Sequence, residues 1–323
     1  MKLTFFNQMT LNPAAPFNFD ASLHKPDHFP TGDNAWQPGI RWQTMRWQGK
    51  LLGLKFEEQG SVEAPRVGLS VWSGERLEAE YLEGLREEIE YRNGFQLDLS
   101  QFYRRFEGHP ALGPVLSRWR GMRPLNMNSL YEFLMIAIML QNATVRRSVS
   151  MMQALFEKYG ALLEYDGRGL YGFWEPETIQ QASEEELRGL KVGYRAKAIK
   201  RVTEAFATGQ IDELELRKRS RDEQVKALVS LYGVGPQSVL YILGSVFQHL
   251  DEMSHISPWE QKIYSKLFFD RKPEEPVEAG VIMDYFNEQF GGYRGLAVHY
   301  LWEDLWWKRK YEKVEWLERL IRL

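Results

Sequence analysis

The stretch that decides the fold is Leu228–Gly244, LVSLYGVGPQSVLYILG. An apolar helical run stops at Leu231-Tyr232, Gly233-Val234-Gly235 turns the chain, and a second helix begins with Pro236 in its first turn, a position where the missing N–H costs nothing. Glycines take positive φ readily and let backbone N–H groups approach a ligand closely. The second helix brings the positive end of its dipole to the same place. Hairpin and helix start together make a site suited to phosphate, formed by Gly233, Val234, Gly235, Gln237 and Ser238. The alternative is a plain helix–glycine–helix corner with no ligand.

Outward from the hairpin, the chain divides by pattern. Residues 1–95 hold short alternating runs, IRWQTMRWQ, KLLGLKFEEQ and RVGLSVWSG, separated by turn residues such as Gly60-Ser61 and Ser73-Gly74. These predict an antiparallel sheet. LEAEYLEGLREEIEYRNG then predicts a helix stopped at Asn93-Gly94. From Asp98 on, nearly everything reads as helix, with apolar residues at i, i+3 and i+4 in LYEFLMIAIMLQNATVRRSVSMMQALFEKYG and DEQVKALVSLYG. The expected class is α+β: a small N-terminal mixed domain (1–95) with an antiparallel sheet, followed by a larger all-α domain (96–323) in two helical subdomains.

Composition narrows the chemistry. The 323 residues contain no cysteine, which excludes disulfides, thiol nucleophiles, iron–sulfur clusters and thiolate-bound zinc. No side-chain metal cluster, nucleotide-hydrolase phosphate loop or Ser–His–Asp spacing stands out, and no redox or nucleotide cofactor is implied. The opening MKLTFFNQMTLNPAAPFNFD is broken by Asn, Pro and Asp, so neither a signal peptide nor a membrane span is expected. Net charge is −3, yet residues 191–221 carry nine bases against four acids, while residues 74–92 carry seven acids against three bases. Such asymmetry suits one face turned toward phosphate.

The hairpin, with LDLSQFYRRFEGHPAL, GMRPLNMNSLYEFLMIAIMLQNATV, KYG, ASEEELRGLKVGYRAKAIKRV and FGGYRGLAVHYLWEDLWW in that order, resembles the helix-hairpin-helix (HhH-GPD) DNA glycosylase superfamily, closest to the branch of 3-methyladenine and 8-oxoguanine glycosylases. The resemblance spans most of residues 97–307. It implies base excision repair: the protein bends duplex DNA, inserts a side chain, flips a damaged nucleotide into a pocket between two helical subdomains and cleaves its N-glycosidic bond. It also implies double-stranded DNA as partner, a monomer, and residence with the DNA, cytoplasmic in a bacterium or archaeon and nuclear otherwise.

Carried over by position, Gln141-Asn142 fall where the family places its wedge, Asn142 being the intruding residue; a helix C-cap is the other reading of LQNAT. Gly193-Tyr194-Arg195 matches the family's G-[YF]-R turn and makes Arg195 a candidate for the DNA backbone. The carbonyls of Tyr232 and Val234 are where a monovalent cation would bridge to phosphate. For a flipped, positively charged alkylated purine, Trp259, Tyr131, Phe133, Phe173 and Trp174 are candidate pocket aromatics, with core packing as the competing role for each.

Two positions depart from the family. The lysine that forms a Schiff base is replaced by Gln237, which cannot make the imine, so hydrolysis without lysine-mediated strand cleavage is expected. The catalytic aspartate that opens the next helix is replaced by Ser257, within EMSHISPWEQKI (252–263). Glu260, Asp251 and Glu252 are the candidates for the missing carboxylate, and His255 a lesser one. Glu260 is preferred because its long side chain can reach the helix entrance. The same residues also spell a capping box, Ser257 with Glu260 behind Pro258, in which case the segment only starts a helix.

Overall fold

The computed structural model describes residues 1–24, 31–124 and 127–321. Leu125 and Asn126 of the GMRPLNMNSL block, and residues 322–323 of the expected helical domain, lie outside the described residues.

Five strands, β1 (Phe5–Leu11), β2 (Asn34–Gln37), β3 (Ile40–Trp47), β4 (Lys50–Glu58) and β5 (Val67–Ser73), form one antiparallel sheet in the order β1-β5-β4-β3-β2. The alternating runs are strands as expected. Met45, Leu52, Leu54, Phe56, Val67, Leu69 and Val71 point to one face and build a core with Leu85 and Ile89 of the helix Ala79–Asn93. That helix ends at Gly94, φ +58°, whose N–H returns to the carbonyls of Glu90 and Tyr91.

The other face of the sheet is covered by residues of the region expected to be an all-α domain. Ala161–Tyr165 (β6) and Arg168–Gly172 (β7) form a hairpin, turned at Asp166 (φ +47°) and Gly167 (φ +70°). Its Leu163, Tyr165 and Leu170 pack against Trp42 and Leu3. Thr44 Oγ1 donates to the Tyr171 carbonyl at 2.7 Å, and Trp42 Nε1 donates to Asp166 Oδ2 at 2.6 Å. The expectation of an all-α domain over 96–323 is corrected at this hairpin. The pattern ALLEY-DG-RGLYG alternates with period two, and two consecutive positive-φ turn residues match the right-handed twist of the strands.

The helices gather around two further cores. The first lobe, residues 130–247, is built on the helix Leu130–Leu140, which is apolar on all sides and therefore central. Ser129 and Glu132 cap it reciprocally, with the Ser129 N–H donating to Glu132 Oε2 at 2.7 Å. The second lobe combines residues 99–122 with residues 253–321. A buried ionic cluster ties the first lobe to the N-terminal helix: Arg217 grips Glu88 with two nitrogens, at 2.7 and 2.8 Å, while Arg92 Nε lies 2.5 Å from the same carboxylate.

Candidate active site between the helical lobes

Helix Arg221–Val229 leads into the hairpin, and the helix Pro236–Ser245 leads out. Gly233 adopts φ +84°, and a Cβ there would sit 2.8 Å from Ala198 Cβ, so glycine is required on both counts. Gly235 is different: it is extended (φ −88°, ψ 168°), serves as N-cap, and faces open space where a Cβ would meet nothing within 4 Å. The expectation of positive φ thus holds for Gly233 and not for Gly235. Val234 is buried in the lobe core and offers the surface only its backbone. The N–H groups of Gln237 and Ser238 stand in the first helical turn, where no intrahelical acceptor exists.

The turn at Gln141-Asn142 lies against this hairpin. Gln141 caps the helix Leu130–Leu140, and its Nε2 donates to the Gly233 carbonyl at 2.7 Å. Asn142 is exposed in the left-handed region, φ +49°, with Nδ2 3.3 Å from the Tyr194 hydroxyl. Arg195 holds the same turn from below. Its Nε donates to the Ile138 carbonyl at 3.1 Å, and its terminal nitrogens reach the carbonyls of Gln141 and Val192. Only 7% exposed, Arg195 neutralises the C-terminal end of a helix and is not available to the DNA backbone, which corrects its assignment. Much of the basic stretch is likewise spent internally: Arg217 on Glu88 and Glu213, Lys218 on Glu215, Arg219 on Glu223, Arg221 on Glu252. Exposed Lys197, stacked 4.8 Å above the Tyr232 ring, is the cation that flanks the hairpin.

From the second lobe, the helix Pro258–Phe269 points its start at the hairpin's second helix. Ser257 is its N-cap, and the capping box is complete: Glu260 N–H donates to Ser257 Oγ at 3.2 Å, and Ser257 N–H donates to Glu260 Oε2 at 2.8 Å. Glu260 is 5% exposed. Its other oxygen faces the first lobe, where the Tyr241 hydroxyl donates to Oε1 at 3.4 Å. Tyr241 is half exposed, but its hydroxyl end is turned in. Desolvation, then the Glu260 charge, push its pKa up, while Gln237 pulls the other way as a hydrogen-bond partner. Gln237 Oε1 is buried and accepts no hydrogen bond among the described residues.

The remaining carboxylate candidates are placed elsewhere. Glu252 is buried against Arg221, at 2.5–2.6 Å. Asp251 has an exposed side chain, its carbonyl being held by Arg294, and His255 is exposed on the connecting loop.

Comparison with known proteins is consistent with this arrangement. Residues 135–319, more than half of the chain, match the model of the HhH-GPD superfamily of base excision DNA repair proteins. The chain belongs to this family. Two curated proteins are similar to this chain over part of their length. A DNA-3-methyladenine glycosylase of Bacillus subtilis is 23% identical over 45% of this chain and 48% of its own length. The N-glycosylase/DNA lyase OGG1 of Arabidopsis thaliana is 31% identical over 58% of this chain and 53% of its own. The chain thus spans about half the length of the curated relatives it matches. Among solved structures, a 3-methyladenine DNA-glycosylase of Archaeoglobus fulgidus superposes with TM-score 0.76 at 17% identity, over 95% of this chain and 100% of that one. An 8-oxoguanine glycosylase/lyase of Clostridium acetobutylicum gives 0.68 at 18%, over 94% and 99%. These likenesses establish a shared fold.

Within this HhH-GPD fold, four of the five expected pocket aromatics belong to the cores. Tyr131 and Trp174 are buried in the first lobe, Trp174 Nε1 donating to the Tyr131 hydroxyl at 3.1 Å and that hydroxyl pairing with Thr203 at 2.9 Å. Phe173 packs against Trp174 and Phe156, and Phe133 lies on the same core. Trp259 stacks on Trp302 at 4.8 Å and donates to the Leu320 carbonyl at 2.7 Å, which holds it on the second lobe. Tyr131, Phe173 and Trp174, buried in a packed core, have no face left for a base, whereas Phe133 and Trp259 are partly buried at the edges of their cores. The aromatic ring at the junction is Tyr241, which sequence reading missed. Its signal was available, since it stands four residues after Gln237 and so on the same helical face.

Proposed function

We propose that this HhH-GPD protein is a monofunctional DNA glycosylase of base excision repair, hydrolysing the N-glycosidic bond of a damaged purine flipped out of duplex DNA, an alkylated purine being the favoured substrate. The observation that carries the reading is Glu260: a buried carboxylate at the start of the helix Pro258–Phe269, one turn beyond the family's aspartate position, bonded to Tyr241 across the junction of the lobes. Bond cleavage builds oxocarbenium character on the sugar, and a fixed carboxylate in a poorly solvated site stabilises it. The capping hydrogen bond uses one lone pair of Oε2, so the group retains acceptor capacity at both oxygens. An alkylated purine is already cationic and leaves as a neutral base, which asks less of a carboxylate placed by a longer arm. The half-exposed Tyr241 ring supplies a π face for such a cation.

Gln237 in place of the lysine supports hydrolysis alone, because an amide forms no imine. The hairpin backbone at Gly235, Gln237 and Ser238 would hold phosphate, with Lys197 beside it. With the Gly233 carbonyl engaged by Gln141, the Tyr232 and Val234 carbonyls are those the hairpin can offer to a monovalent cation bridging to that phosphate. We take the protein to act as a monomer on double-stranded DNA, in the compartment that holds the DNA.

A second reading is a protein of the same fold that binds damaged duplex without cutting it. The completeness of the capping box favours it, since both Glu260 oxygens already have donors. Release of base from alkylated duplex oligonucleotides, with alkali to reveal abasic sites, separates the two. Glu260→Gln keeps the capping geometry, because glutamine also serves at that helical position. Loss of release in Glu260→Gln with folding intact supports the enzyme; no release by the wild type, with lesion binding retained, supports the binder.

A further inference from the structure

Glu260 is the third residue of the helix Pro258–Phe269, and the start of that helix is fastened to the second lobe: the neighbouring Trp259 stacks on Trp302 and donates to the Leu320 carbonyl. The capping box accounts for one carboxylate oxygen, Oε2, which accepts the Ser257 N–H at 2.8 Å. The other, Oε1, is met from the first lobe by the Tyr241 hydroxyl at 3.4 Å. Tyr241 stands on the helix Pro236–Ser245, which starts from Gly235 of the hairpin. One carboxylate is thus held by both lobes, one oxygen to each. The Tyr241 ring is half exposed, but desolvation and then the Glu260 charge raise its pKa, so the hydroxyl stays a proton donor. At 3.4 Å the bond is long for O–H···O, and hydrogen bonds at catalytic groups often tighten only once substrate fills the site.

We propose that Tyr241 is the positioning residue for Glu260, its hydroxyl fixing the second carboxylate oxygen so that the negative charge faces the sugar of the flipped nucleotide. This rests on the glycosylase reading above and adds to it the group that places the carboxylate. The need for such a group follows from the sequence. An aspartate at position 257 would carry its charge on a short arm at the helix entrance. Glu260 acts from three residues further in through one more methylene, and each added torsion loosens the position of the charge. Stabilising an oxocarbenium ion depends on charge that is fixed before the reaction starts. A second anchor from the facing lobe restores that fixity. The same bond ties the placement of the carboxylate to the seating of the first lobe on DNA, because Tyr241 shares a helix with the N–H groups of Gln237 and Ser238 proposed to hold phosphate. In this role the hydroxyl acts through Glu260 and not on the reacting atoms.

The test compares affinity for two duplexes that differ at one nucleotide: a tetrahydrofuran abasic site, which is neutral, and a pyrrolidine abasic site, whose protonated ring nitrogen carries a charge like that of the oxocarbenium sugar. The proteins are the wild type, Tyr241→Phe, Glu260→Gln and the double variant, with thermal unfolding as the control for folding. Tyr241→Phe keeps the ring, removes only the hydroxyl and touches no core position, since Tyr241 is half exposed. The wild type should prefer the pyrrolidine duplex, and Glu260→Gln should lose that preference. Tyr241→Phe should reduce the preference by about 10-fold, as for one hydrogen bond to a charged group, with affinity for the tetrahydrofuran duplex unchanged. With Glu260→Gln already present, the same substitution should change nothing further, because both act through one interaction. A merely structural role would weaken both duplexes alike, so an equal loss on both overturns the proposal. It is overturned as well by a wild-type preference in Tyr241→Phe, or by an equal reduction with and without the Glu260 carboxylate. A wild type with no preference, or a Glu260→Gln that keeps it, defeats instead the parent reading of Glu260, and the positioning role with it.

Discussion

Gln141 Nε2 donates to the carbonyl oxygen of Gly233 at 2.7 Å, which ties the turn that carries Asn142 to the glycine hairpin. Under the proposed function, the hairpin's contact with the DNA backbone and insertion by Asn142 would be held at one spacing. A protein that kinks DNA benefits, because the strain of unstacking is applied from a support already anchored on the strand.

Replacing Asn142 tests the insertion role. Alanine would confound it, since left-handed backbone costs an ordinary residue roughly 1–2 kcal/mol. Asn142→Gly adopts φ +49° freely and removes only the side chain. It should impair capture of a lesion-containing duplex by about 10-fold or more while leaving affinity for undamaged duplex nearly unchanged. Equal losses on both duplexes in a fluorescence titration would remove the insertion role.

The two hairpin glycines should separate stability from binding. Gly233→Ala meets both positive φ and Ala198, and should lower stability by about 1–3 kcal/mol, read as a lower Tm. Gly235→Val meets nothing within 4 Å and an extended backbone that valine favours, so its Tm should stay close to wild type. Its isopropyl group nonetheless occupies the space through which a phosphate would reach the backbone N–H groups. Duplex affinity at moderate salt should fall; an unchanged affinity would dissociate the hairpin from DNA binding.

Much of the architecture was legible in the sequence because its strongest cues are local. The alternation of β3, β4 and β5, the Asn93-Gly94 stop and the hairpin glycines each act over a few residues. The β6–β7 pair carried the same kind of cue in Asp166-Gly167, but it sits within a chain region whose helices dominate the pattern. Tertiary use of side chains was less legible. Arg195 reads as surface charge, and only the fold reveals that its guanidinium faces the carbonyl end of another helix, Leu130–Leu140. Tyr131 and Trp174 read as candidate ligand contacts, yet they satisfy each other's polar atoms inside a core. The Ser257–Glu260 capping box was readable as spacing; that Tyr241 would meet the same carboxylate from the other lobe was not.

Arg195 and Lys197 should behave oppositely although both are bases in one turn of helix. Arg195→Ala removes the side-chain donor from the Gln141 carbonyl and one of two donors from the Ile138 carbonyl, and should cost about 1–3 kcal/mol of stability. Lys197→Ala removes an exposed cation beside Tyr232 and should leave Tm unchanged. If Lys197 meets a phosphate, its loss weakens binding across sequences and lowers the slope of log affinity against log salt by about 1. An unaltered slope would place the phosphate path elsewhere.

The Glu88 carboxylate should make the joint between the N-terminal helix and the first helical lobe sensitive to acid. Burial alone raises its pKa, but hydrogen bonds from Arg217 and Arg92 and their charges outweigh burial and hold it below the ordinary value of 4.5. A depressed folded-state pKa means the unfolded chain takes up a proton first as pH falls. The stabilisation is therefore complete above the unfolded value and is lost as pH drops below 4.5 through the folded one. Glu88→Gln gives Arg92 a neutral partner and leaves Arg217 with Glu213 as its remaining carboxylate, and at pH 7 it should cost roughly 3 kcal/mol, the low end of the range for breaking a buried pair. Because the wild type itself protonates in acid, the difference between the two proteins should shrink below pH 4.5. Urea unfolding at pH 7 and at successively lower pH measures it, and a difference that stays constant into acid would show that Glu88 does not carry the joint's pH dependence.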